Sequence, residues 1–121
     1  MLKKIIREYF DLEDGVFIDK YSELIQVNKA YNIFISRRSL KHFVERRKGD
    51  FKKYSKSEIL DKLYFAIEHI TDTITDSDLV ELHTLKTVFV KKFFIDEYVY
   101  LRVIVEFKST GFEIKSIHFR R

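Results

Sequence analysis

Apolar and polar positions change period along the chain, from roughly 3.6 residues in the segments before residue 84 to two in those after it. Helices followed by a sheet are the prediction. Leu2, Ile5, Ile6, Tyr9 and Phe10 recur at helical spacing and predict a short amphipathic helix that stops at the turn Asp11-Leu12-Glu13-Asp14-Gly15. Between residues 16 and 35 three β-favouring runs, 16–18, 24–27 and 31–35, surround a polar Asn28-Lys29 turn. Ser36 offers an N-cap to a helix whose apolar stripe is Leu40, Phe43, Val44 and the stem of Arg47, with Gly49 as its stop. A further helix starts at Ser55, where Ser55 and Glu58 have capping-box spacing, and carries Ile59, Leu60, Leu63, Ile67, Ile70 and Ile74 on one face.

Beyond an acidic connection over residues 68–83, alternation takes over. Val99, Leu101, Val103, Val105 and Phe107 alternate with Tyr98, Tyr100, Arg102, Ile104 and Glu106, the pattern of a long half-buried strand. A strand over 85–95 precedes it, and Ser109-Thr110-Gly111 turns the chain into a last strand over 112–119. The expected fold class is therefore α+β, with N-terminal helices packed on a C-terminal antiparallel sheet in one domain spanning residues 1–121.

Composition narrows the chemistry. With no cysteine, disulfides, thiolate metal sites and cysteine nucleophiles are excluded. The N-terminus alternates charged and apolar residues without the apolar run of a signal or membrane span, so a cytoplasmic protein with no membrane partner is expected. Phosphate-binding glycine loops, dinucleotide fingerprints and paired-histidine zinc helices are missing, and no cofactor is expected. Asp72, Asp76, Asp78, Glu81 and His83 lack the glycine and spacing of a calcium loop, so they read as a solvated acidic helix end and no metal is expected.

Charge is concentrated. Residues 37–56 hold nine basic side chains against two acids, while the rest of the chain has fourteen basic and seventeen acidic. One face suited to a polyanion is implied. Within it His42 points away from the apolar stripe, between Arg38 one turn before and Arg46 one turn after. Guanidinium neighbours would keep an imidazole neutral near pH 7 and would hold an anion, which equips His42 as a general base. The same position equally suits an ordinary exposed helix residue. Lys52 and Lys53 extend the basic run. On the last strand Ser116, His118 and Arg120 share a face and could complete a phosphate site or form a polar rim. Tyr98, Tyr100 and Arg102, on the strand face away from the valines, could stack on and pair with single-stranded nucleic acid if that face is open, or lie under the N-terminal segment or a partner if it is covered.

The run Ile35-Ser36-Arg37-Arg38-Ser39-Leu40-Lys41-His42-Phe43, a strand end entering a helix that carries Lys-His, resembles the start of colicin D-like and phage-encoded RNase domains. These toxins belong to the broad group that contains barnase and RelE. Gly49-Asp50-Phe51 and Ala66-Ile67-Glu68-His69 resemble pieces that follow the Lys-His in colicin D, although here six residues separate His42 from Gly49 where the colicin D pattern is almost contiguous. The resemblance implies a metal-independent endoribonuclease toxin acting on RNA such as tRNA, with an immunity or antitoxin protein as partner. It implies His42 as catalytic base or acid and Lys41 as a neighbouring phosphate or transition-state contact. The residues themselves add Arg102 and His118 as candidate helpers, with Arg38, Arg46, Lys52, Lys53, Tyr98, Tyr100 and Ser116 as candidate RNA and phosphate contacts. The competing expectation is a non-catalytic module that binds nucleic acid or protein.

Overall fold

The computed structural model describes residues 1–94, 98–109 and 111–120. Four helices and six strands follow in the order α1 (Leu2–Asp11), β1 (Leu24–Asn28), β2 (Ile33–Ser36), α2 (Arg37–Asp50), α3 (Lys56–Glu68), α4 (Ile70–Thr75), β3 (Leu79–Leu82), β4 (Thr87–Phe94), β5 (Tyr98–Lys108) and β6 (Gly111–Arg120). The strands form one sheet in the order β1-β2-β6-β5-β4-β3, antiparallel except where β2 runs parallel to β6. This is the expected α+β arrangement, helices packed on a mostly antiparallel sheet. Among the described residues no helix is long and apolar enough to cross a membrane.

The caps read from the sequence form as hydrogen bonds. Ser36 Oγ accepts from the Ser39 amide at 3.0 Å, and Ser55 with Glu58 makes a complete capping box. The helices lie on one face of the sheet, where Ile6, Leu40, Val44, Leu63 and Ile70 meet Ile33, Ile35, Leu101, Val103, Val105 and Ile114, all at most 1% exposed. Burying these aliphatic side chains is the main stabilising term, roughly 1.5–3 kcal/mol for each.

A β-bulge sets the faces of the last strand. Val105 pairs with Ile114 but Ile104 pairs with Ser116, so Lys115 is an extra residue in β6. Without it Ile114 and Ile117, three apart, would face opposite ways. With it both enter the core, and Ser116, His118 and Arg120 stand together on the face the helices leave open.

Four expectations are corrected. Residues 16–18 form no strand, because turns at Asp14-Gly15 and Asp19-Lys20 confine them to three residues with no partner strand, and Phe17 is exposed. Gly49 does not stop α2, which continues to Asp50. The stripe through Ile70 and Ile74 is broken at His69, and those residues belong to a separate short helix. The acidic connection contains β3, which pairs with β4 from Leu79 opposite Val90 to Leu82 opposite Thr87. Its acids are engaged: Glu68 with Lys3, Asp76 with Lys91 and Glu81 with Arg102 as ion pairs, Asp72 in a hydrogen bond with His69, and Asp78 as acceptor from the Lys92 amide. Ile95 and Thr110, expected in a strand and a turn, lie outside the described residues.

Gly111, at φ +136°, opens β6 against the turn that precedes β2. A Cβ there would fall on the Asn32 carbonyl oxygen and 2.7 Å from the Asn32 Cβ, in a backbone region closed to other residues. Gly49 is helical with open space around it. Gly111→Ala should therefore destabilise by about 1–3 kcal/mol, and Gly49→Ala should stabilise by about 0.5–1 kcal/mol. Urea denaturation with an unchanged slope measures both.

Candidate functional site

β2 is only four residues long, and its pairing with β6 ends at Ile35 opposite Ile114. From Ser36 the chain turns directly into α2, which runs beside the part of β6 that β2 does not reach. The guanidinium of Arg47 ties the two together, its Nη1 donating to the Ile117 carbonyl at 3.4 Å while Nη2 pairs with Asp50 at 3.0 Å. Arg47 is 5% exposed and its Nε has no partner, and burial lowers its pKa from the ordinary arginine value. The expected apolar stem of this residue thus carries a buried charge into the seam.

Along the seam lies a cleft of about 190 Å³ lined by Ser39, His42, Phe43, Arg46, Lys115, Ser116 and Ile117. Small-molecule and cofactor pockets run to roughly 300–1,000 Å³, so this one suits a phosphate group and little more. His42 and Arg46 come from the exposed side of α2, one turn apart. Ser116 comes from the open sheet face and is hydrogen-bonded to His118, with Oγ and Nε2 2.6 Å apart. His118 stands directly opposite Arg102 on β5, and Arg120 opposite Tyr100.

The effect expected of arginines on a histidine is found at His118. Burial first, then the charges of Arg47, Arg120, Arg46 and Arg102, hold its pKa below the usual histidine value. The ring is neutral at pH 7, and the Ser116 hydroxyl can donate to it. His42 is bonded through Nε2 to the Tyr21 hydroxyl at 3.0 Å, and Arg38 stacks over the Tyr21 ring, 5.6 Å from its centroid.

No family model, curated protein or solved structure matches the chain.

Of the residues singled out in the sequence, His42, Arg46 and Ser116 line the cleft, His118 is bonded to Ser116, and Arg102 and Tyr100 follow further along the open face. Arg102 is held by Glu81, with Nη2 and Oε2 3.0 Å apart. Lys41 departs from the expectation. It is 2% exposed and ion-paired with Glu45, because the turn after α1 covers that side of α2, where the Gly15 amide donates to Glu45 at 3.4 Å. A phosphate cannot reach it in this conformation. Arg38 belongs to the Tyr21 stack, Lys52 and Lys53 are exposed on the turn after α2, and the Tyr98 side chain lies outside the described residues. Among the described residues no three His, Asp or Glu side chains gather as a metal site.

Sequence reasoning missed Arg47 as a link to β6, Tyr21 as partner of His42 and Glu81 as partner of Arg102. The i to i+4 spacing of Lys41 and Glu45 was the one local signal that could have flagged the buried pair.

A histidine neutral in the fold and ordinary in the unfolded chain binds fewer protons when folded. Its linkage makes stability rise with pH. The contribution is intact above the unfolded value near 6.5 and is lost as pH falls through the lowered folded value. NMR titration should find His118 below 6.5, moving upward in Arg46→Gln and Arg120→Gln.

Proposed function

We propose that this chain is a metal-independent endoribonuclease of the toxin type, cleaving RNA through attack of the 2′-hydroxyl on the adjacent phosphorus. The observation that supports it is the convergence on one phosphate-sized cleft of His42, Arg46 and Ser116, with His118 hydrogen-bonded to Ser116 and ringed by arginines. RNA carries its own nucleophile, so the protein need supply only a proton acceptor, cations for the charge building on phosphorus and a proton for the leaving 5′-oxygen.

In this reading the neutral His118 is the acceptor. The substrate 2′-hydroxyl takes the place of Ser116 Oγ as donor to Nε2 and then passes its proton there. Arg46, in the wall of the cleft, holds the phosphate oxygens. His42, bonded to Tyr21 on the opposite wall, delivers the proton to the 5′-oxygen. The bond from phosphorus to that oxygen breaks, leaving a 2′,3′-cyclic phosphate and a 5′-hydroxyl. The role that the resemblance gave Lys41 passes to Arg46.

One observation favours a second reading, a module that binds RNA without cutting it. Arg102 and Lys41 are already neutralised by Glu81 and Glu45, and Nε2 of His42 and of His118 is already bonded. One assay separates the two. Incubated with tRNA and total RNA in excess EDTA, the protein should produce cyclic phosphate and 5′-hydroxyl ends, with rates lowered about 10²–10⁴-fold in His118→Ala and in His42→Ala. Cleavage unchanged in both variants contradicts the site. Intact RNA, bound with an affinity that falls steeply with salt, leaves the binding module.

A further inference from the structure

The open sheet face continues the cleft in a straight line. Along β6 the residues on this face are Ser116, His118 and Arg120, and their cross-strand partners on β5 are Ile104, Arg102 and Tyr100. Residues two apart on a strand are about 6.6–6.8 Å apart, close to the separation of successive phosphates in an extended single strand.

Each rung of this ladder has a cation and a surface. At the first, Arg46 of α2 lies across the cleft from Ser116, and Ile104 offers an apolar face. At the second, His118 stands beside Arg102. At the third, Arg120 is exposed next to the Tyr100 ring, over which the Lys92 ammonium lies 5.9 Å from the centroid.

The acids define where the row ends. Beyond Ser116 the next cross-strand pair on this face is Glu106 with Glu113, both ion-paired with Lys115 and Glu106 also with Lys108, so the cations there are already matched by two carboxylates. Among the described residues Glu81 lies alongside the row and is already engaged with Arg102. Positive charge therefore runs from the cleft toward Arg120 and stops in the other direction.

We infer that the site takes single-stranded RNA, laid along β6 with three successive phosphates at Arg46 with Ser116, at Arg102 with His118, and at Arg120, and with bases against Ile104 and Tyr100. This rests on the RNA reading above and adds the substrate class and its path. Duplex RNA is excluded because its bases are stacked on one another and offer no face to the sheet. A single strand offers both its backbone and its rings.

The probe is a nine-nucleotide 2′-O-methyl oligouridylate, which has no free 2′-hydroxyl and cannot be cut by the proposed route, so binding is measured apart from cleavage. By fluorescence anisotropy it should bind at least ten times more tightly than a 2′-O-methyl duplex of equal length. Its log affinity should fall with log salt at a slope of about −2, from about 0.7 for each of three phosphates. Arg120→Gln should bring the slope to about −1.4, while Lys29→Gln, on the turn between β1 and β2, should leave it unchanged. Equal or tighter duplex binding, no binding of the single strand, or a slope indifferent to Arg120→Gln overturns the path. RNA cleavage that persists alongside any of those results keeps the nuclease and discards the track. Binding as described with no cleavage of natural RNA keeps the track and discards the catalysis.

Discussion

A strand edge left open inside a fold must have its carbonyls and amides paired, and in this protein that requirement falls on β6 past Ile114. β2 is too short to cover it, so α2 does, with the Arg47 guanidinium reaching the Ile117 carbonyl. A side chain that closes a strand edge brings its whole helix with it. His42 and Arg46, on the exposed side of α2, consequently lie along Ser116 rather than on an unrelated surface. Arg47, buried with one nitrogen unpartnered, is the cost of that arrangement, and its charge contributes to holding the neighbouring His118 neutral.

Charge is managed on the same lines. The basic window of residues 37–56 is not one uniform patch in space. Lys41 is withdrawn into a pair with Glu45, and Arg38 into a stack on Tyr21. The cleft draws on Arg46 from that window and on Lys115 from the sheet, while His118 beside it feels Arg46, Arg47, Arg102 and Arg120. The acidic stretch, which reads in sequence as the opposite pole, is mostly consumed by ion pairs that fasten α4 and β3 to their neighbours. Its Glu81 reaches across β4 to Arg102 and holds that guanidinium on the open face.

Local features were legible and long-range ones were not. The Ser36 cap, the Ser55 and Glu58 capping box, the alternation of β5 and the shared face of Ser116, His118 and Arg120 depend on neighbours a few residues apart, and all are present. The parallel pairing of β2 with β6 joins residues nearly eighty positions apart, and no period records it. β3 was hidden because four residues in an acidic stretch give too short an alternation to read. The site was half legible. His42 and His118 could each be marked by their neighbours along the chain, but which arginines surround which ring is decided by the packing of α2 on β6. Lys41 misled for the same reason, since its burial comes from the turn after α1.

The central claim is that α2 and β6 build one anion site, and NMR chemical-shift mapping with the 2′-O-methyl oligouridylate tests it most directly. The account predicts that the amides of residues 39–46 and 115–120 and the ring protons of His42 and His118 move together along one binding curve. Shifts confined to α2, or to a surface elsewhere with both histidines unmoved, would contradict it.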